Sequence, residues 1–124
     1  MTALFGYGLS SVIALSIVLI GARFFFSPYS AAAGFGVAVE PDPRWSAYLS
    51  AKGIRDIAPG LFMAILILNQ SAQLLGWFIL IATVIPLTDM AIVLKHGGTK
   101  ATAFGIHGAT AVFMIITSGL LLSS

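Results

Sequence analysis

Two carboxylic acids and one histidine stand inside apolar segments of this 124-residue chain. Asp56, Asp89 and His107 each lie in a stretch that is otherwise hydrophobic. Carboxylates and imidazoles can take up and release protons during catalysis. Ionisable groups within a membrane are costly and mark either a functional site or a paired structural charge. We therefore predict Asp89, His107 and Asp56 as candidate acid–base residues.

Positive charges accompany Asp56. Lys52, Arg55 and Asp56 precede an uncharged run of only 12 residues, 57–68. A helix needs about 20 residues to cross a bilayer. This span becomes long enough only when it begins near Tyr48. A start there places all three charges within the membrane.

The spacing from the helix ends predicts that these groups share one depth. At about 1.5 Å per residue, Asp56, Asp89 and His107 lie roughly 9 to 12 Å inside the ends of their segments. Arg23 occupies the last turns of the first segment, on the same side. We predict one polar chamber, whose three basic and two acidic side chains sum to +1 with His107 neutral. Its predicted ligand-binding residues are Arg23, Lys52, Arg55, Met63, Thr110 and Met114.

Composition assigns the chain to the membrane. Hydrophobic residues make up 59% and charged residues 8% of the chain, and the mean hydropathy is +1.05. Soluble proteins carry about 25% charged residues. We predict one integral membrane domain, 1–124, in contact with the lipid bilayer.

Other classes of function are excluded. The net charge of +2 comes without a Lys/Arg run, so no nucleic-acid partner is expected. The chain has no cysteine and two histidines at different levels, which lack the spacing of a zinc site. We predict no metal and no cofactor.

The pattern of apolar segments and turns predicts an all-α fold. Pro28 ends the first segment, and one long loop, about 27–46, joins helices one and two. The apolar middle of that loop, 31–39, is a candidate lid. Short turns elsewhere favour an antiparallel four-transmembrane-helix bundle. The predicted helices cover about 2–26, 46–68, 72–94 and 100–122.

All six Lys and Arg residues fall at one end of this bundle, here called the charged end, which holds the 27–46 connection and the 95–100 turn. The opposite end, with both termini, has none. Cytoplasmic loops carry an excess of Lys and Arg, so both termini are predicted on the non-cytoplasmic side. On helix four, Ala101, Gly105 and Ala109 form a small-residue stripe suited to close packing or to a homo-oligomer.

Three stretches carry a resemblance to a known family: Lys52-Gly53-Ile54-Arg55-Asp56, Pro86-Leu87-Thr88-Asp89 and Gly105-Ile106-His107-Gly108. With them, the chain resembles a domain-of-unknown-function family of small four-helix membrane proteins, DoxX-like in architecture, over nearly its whole length. The resemblance implies a fold without a substrate. Sterol isomerase-like membrane proteins also keep acidic and histidine residues inside a bundle, which is an architectural analogy only.

Two functions stay open at this point. The first is a membrane-embedded site for a small hydrophobic molecule with an anionic or carbonyl group, where an isomerisation, cyclisation or proton shift could occur. The second is a non-catalytic membrane subunit or carrier. In that case the buried charges form a structural ion-pair network or a proton relay.

Overall fold

The computed structural model describes residues Met1–Ser124 and is all-helical, with 85% helix and no strand. Three helices are long and apolar enough to cross a membrane, α1, α4 and α5, which makes the chain an integral membrane protein. α3 has 26 residues but carries Lys52, Arg55 and Asp56, and it is not among the three. The five helices are α1 (Thr2–Phe26), α2 (Pro28–Phe35), α3 (Pro43–Leu68), α4 (Ala72–Lys95) and α5 (Lys100–Leu122).

The connection between α1 and α3 differs from the expected long loop because it contains the short helix α2. Pro28 takes the first helical position, where its missing N–H costs nothing. Gly36 ends the helix in a left-handed conformation with φ of +117°, which favours glycine. The chain therefore has five helices where four were expected.

α3 begins three residues before the predicted start at residue 46. The carboxylate of Asp42 accepts a hydrogen bond from the backbone N–H of Arg44 at 2.9 Å and so caps the helix. Pro43 fills the first helical position. Pro41 and Pro43 both fall within the predicted loop 27–46, whereas Pro43 starts the helix.

Glycines let α1 and α3 pack closely. A Cβ atom built on Gly53 would lie 2.6 Å from the carbonyl oxygen of Gly21 and 2.9 Å from the ring of Phe25. Gly60 meets Val18 in the same way, at 2.6 Å. Side chains larger than hydrogen would force these two helices apart.

The predicted small-residue stripe on helix four does not pack within the chain. Ala101, Gly105 and Ala109 are exposed, and no atom lies within 4 Å of a Cβ built on Gly105. Other faces of α5 contact α4, and in the half away from the stripe the Ser118 hydroxyl donates to the carbonyl of Gly76 at 3.0 Å. The apolar core lies in this half of the bundle and comprises Ile13, Ala14, Met63, Leu66, Leu75, Ile79, Met114 and Leu121.

α4 is irregular at its midpoint, and α5 is irregular in the half nearer the charged end. The α-helical pattern of α4 is interrupted at Thr83, three residues before Pro86. α5 contains a π-helical segment, Ala103–Gly108, which includes His107. Such π segments are frequent at functional sites because they redirect side chains.

Candidate functional site

The four long helices enclose a cavity of about 150 Å³, here called the central cavity. Eight of the nine side chains predicted from the sequence line it, from three of the four helices. α1 contributes only apolar residues such as Ile17 and Ile20. The eight are Lys52, Arg55, Asp56, Met63, Asp89, His107, Thr110 and Met114.

Arg23 is the ninth, and it does not line the central cavity. Its side chain is exposed at the end of α1, where Nη2 donates a long hydrogen bond of 3.4 Å to the hydroxyl of Ser30. The central cavity therefore holds two basic and two acidic side chains. With His107 neutral their charges sum to zero, not to the +1 expected with Arg23.

One of the two carboxylates is neutralised within its own helix. The Nζ of Lys52 lies 2.9 Å from Oδ2 of Asp56, one turn away, and both side chains are partly buried. Nζ also lies 4.3 Å from the ring centroid of Phe24, a cation–π contact. The alternative pairs of Arg55 with Asp56 and of Arg23 with Asp89 do not form.

The other carboxylate, Asp89, has no partner. It is partly buried on α4 and forms neither an ion pair nor a side-chain hydrogen bond. It lines the central cavity and also a second cavity of about 330 Å³, here called the outer cavity, which opens beside His96 at the charged end. An unpaired carboxylate in an apolar helix is costly, so it is the first candidate for contact with a ligand.

His107 is buried, with 8% of its surface exposed. Its Nε2 lies 2.7 Å from the backbone carbonyl oxygen of Phe35, which can only accept, so Nε2 carries the proton. Nδ1 forms no hydrogen bond, and every fully buried side-chain nitrogen and oxygen has a partner, so Nδ1 keeps access to open space. In the neutral ring Nδ1 is an acceptor that can take a proton.

Two prolines on the cavity wall add backbone acceptors. Pro59 and Pro86 both line the central cavity. Because proline has no N–H, the carbonyls of Arg55 and Ala82, four residues earlier, lack their helical donors. A ligand hydroxyl could donate to either carbonyl.

Most of the remaining wall is apolar. Met63 and Met114 are both buried, and Thr110 uses its hydroxyl to donate to the carbonyl of Ile106 at 2.7 Å. Thioether side chains adapt their shape to an apolar ligand. Further apolar lining comes from Ile13, Ile17, Phe78 and Ile85.

Phe35, the last residue of α2, lies in the segment 31–39 that was a candidate lid, but it was not among the predicted site residues. Its ring lies 4.6 Å from the ring of His107, centroid to centroid, and it lines both the central and the outer cavity. The signal was present in the sequence, because Pro28 and Gly36 are a helix start and a helix stop. A helix between them predicts that Phe35 is held by the fold and is not a mobile loop residue.

Comparison with known proteins identifies the family. A family profile described as a domain of unknown function, DUF4267, matches residues 14–121. That range includes every residue of the central cavity wall except Ile13. No match is found among the curated proteins or among the solved structures. The chain therefore belongs to the DUF4267 family of domains of unknown function.

Proposed function

We propose that the protein binds a small hydrophobic molecule in the central cavity and that Asp89 and His107 exchange protons with it. The observation that carries the proposal is that an unpaired carboxylate, Asp89, and a histidine without a hydrogen bond at Nδ1, His107, line the same largely apolar cavity. Polar groups without internal partners are the ones available to orient a ligand in an apolar pocket.

The charges favour a carbonyl over a full anion inside the central cavity. Lys52 is already engaged by Asp56, and the carboxylate of Asp89 would repel a second negative charge. Arg55 lines the cavity without a carboxylate partner, and its guanidinium can polarise a carbonyl oxygen.

An isomerisation is the simplest reaction of this set. In a substrate with one carbon between its carbonyl and a carbon–carbon double bond, Nδ1 of His107 or the carboxylate of Asp89 removes a proton from that carbon, and the electron pair of the C–H bond moves toward the oxygen held by Arg55. The proton then returns to a different carbon, so that a double bond shifts and no atom is gained or lost. A cyclisation would use the same acid and base.

Conservative substitutions of the two groups test the proposal. Asp89→Asn and His107→Gln keep the side-chain size and remove the ability to exchange protons at neutral pH. Mass spectrometry of lipid extracts from the purified protein should show a hydrophobic molecule with wild type that is lost or chemically changed with either variant. Glu40→Gln, an exposed carboxylate outside the cavity, is the matched control. The proposal fails if the lipid extracts of both variants contain the same molecule as wild type and the cellular phenotype is also unchanged.

A non-catalytic membrane subunit or carrier is the second candidate function, and the stripe of Ala101, Gly105 and Ala109 favours it. The stripe faces away from the chain, and small residues allow close approach of a second membrane helix. Gly105→Leu should then weaken cross-linking between copies in membranes. Gly119→Leu is the control, since Gly119 is an exposed glycine of the same helix with equally open surroundings. Unchanged assembly in Gly105→Leu would count against this candidate.

The proposed orientation has both termini on the non-cytoplasmic side. Six basic residues at the charged end support it by the positive-inside rule. The chain has no cysteine, so single cysteines report orientation without background. A membrane-impermeant maleimide added outside cells should label Ser124→Cys and leave Lys100→Cys unlabelled. The reverse pattern would refute the orientation.

A further inference from the structure

A third cavity opens between α1, α2 and α5 and is here called the side opening. Its volume is about 240 Å³. Ile20 and Ile106, on facing helices, are 45% and 51% exposed, so the opening reaches the lipid-facing surface of the bundle. On the α2 side of the opening, no atom lies within 4 Å of a Cβ built on Gly34, so this side is also unobstructed. Such a lateral opening is accessible to molecules dissolved in the bilayer.

Arg23 supplies a charge to this opening that the chain does not neutralise. It lines the side opening, its side chain is exposed, and it has no carboxylate within ion-pair distance. The one hydrogen bond of the guanidinium is the long bond to the hydroxyl of Ser30. Arg23 also lies in the last turn of α1, at the charged end, where a long basic side chain reaches the lipid head groups. A guanidinium in this setting binds a carboxylate or a phosphate.

The side opening and the central cavity are separated by a thin wall. Ile20, Phe35, Ile106 and His107 line both of them. An apolar chain that starts beside Arg23 therefore contacts side chains that also line the central cavity.

We infer that the side opening is a binding site for an amphiphile with an anionic head group that enters from the bilayer. Arg23, assisted by Ser30, binds the head group, and the apolar chain passes between Ile20 and Ile106 toward Phe35. This site rests on the proposed function in one respect only: the reacting part of the amphiphile would lie in the central cavity. Binding of the head group at Arg23 does not depend on any reaction there.

Photo-cross-linking tests this site on the full chain in phosphatidylcholine nanodiscs. The probe is a fatty acid that carries a diazirine on its chain, and the matching fatty alcohol is the uncharged comparison. The variants are Arg23→Gln and Arg23→Lys, with Arg44→Gln as a control because Arg44 is an exposed arginine outside the three cavities. Thermal unfolding of each variant shows whether it is folded.

With wild type, the fatty acid should label peptides that contain Ile20 or Ile106. Arg23→Gln should weaken labelling by about tenfold, which is the effect of losing one charge-assisted contact. Arg23→Lys and Arg44→Gln should retain most of it, and the alcohol should label wild type and Arg23→Gln equally weakly. Equal labelling by the acid of folded wild type and folded Arg23→Gln would overturn the inference.

Added phosphatidylglycerol distinguishes two sources of the anion. If it competes with the fatty acid in an Arg23-dependent way, the occupant is a phospholipid head group, and if it does not, the occupant is a free carboxylate. Both results support the site. The effect of Arg23 on labelling at the side opening is measured without any change at Asp89. If Asp89→Asn leaves the lipid extract unchanged while Arg23→Gln still weakens labelling, only the proposed function is therefore rejected.

Discussion

The Nε2 of His107 donates a hydrogen bond of 2.7 Å to the backbone carbonyl of Phe35, a residue 72 positions earlier in the chain. This bond joins the end of α2 to the π-helical segment of α5. Because both rings also lie on the wall of the central cavity, the contact orients His107 and holds α2 in place at the same time. The bond thus contributes both to the position of the proposed base and to the position of α2 beside the cavity.

His107→Phe should loosen α2. The substitution keeps an aromatic ring against Phe35 but removes the hydrogen bond, at a cost of about 1 kcal/mol. We expect amide hydrogen exchange in residues 28–37 to become roughly fivefold faster, as measured by mass spectrometry. Thr110→Val, which removes a hydroxyl bonded only within its own helix, should leave this exchange unchanged. If amide hydrogen exchange in His107→Phe were as slow as in wild type, the bond would not hold α2.

Gly53→Ala should destabilise the protein strongly. The new methyl group would meet the backbone oxygen of Gly21, which cannot move aside as a flexible side chain can. We expect a loss of about 2 kcal/mol, measured by thermal unfolding in detergent, because α1 and α3 must separate. Gly8→Ala is the matched control on α1, since no atom lies within 4 Å of the added Cβ. A stability loss equal to that of Gly8→Ala would show that the close approach is not required.

Removing one partner of the Lys52–Asp56 pair should cost more than removing both. Lys52→Met leaves Asp56 charged and unpaired beside an apolar cavity, which we expect to cost about 2 kcal/mol at this partial burial. The double variant Lys52→Met/Asp56→Leu should recover most of the loss. A double-mutant cycle by thermal unfolding measures the coupling. Additive losses would mean that the two charges act independently.

The start of α3 should loosen at acidic pH. The Arg44 side chain, together with its backbone N–H, lowers the pKa of Asp42 below the ordinary value. A carboxyl whose pKa is lower in the folded state stabilises it above the unfolded-state pKa and loses this effect as the pH falls through the folded-state pKa. Fluorescence of Trp45, recorded in a Trp77→Phe background, should change over that acidic range. In Asp42→Asn, which keeps the cap but cannot titrate, the change should be absent.

The sequence was sufficient to predict the three long apolar helices and to place most of the candidate site residues around one cavity. Apolar length predicts helices, and the distance of Asp56, Asp89 and His107 from the helix ends predicts that they share a depth. Eight of the nine expected residues line one cavity for that reason. Arg23 does not, because it lies only one turn from the end of α1 and its long side chain extends outward.

Other features depend on contacts that residue spacing does not encode. The pairing of Asp56 with Lys52 and not with Arg55 is an exception that spacing does predict, since residues four apart on a helix face each other and adjacent ones do not. The π-helical turn of α5 has no signature in the residues Ala103–Gly108. The bond to Phe35 arises only when α2 and α5 are packed together.

A crystal structure of the protein purified from its native membrane tests the central claim most directly. We expect density for a bound molecule in the central cavity, with a polar atom within hydrogen-bond distance of the carboxylate of Asp89 or of Nδ1 of His107. The claim is contradicted if the cavity holds only solvent, or if Asp89 and His107 turn away from each other toward lipid or head groups.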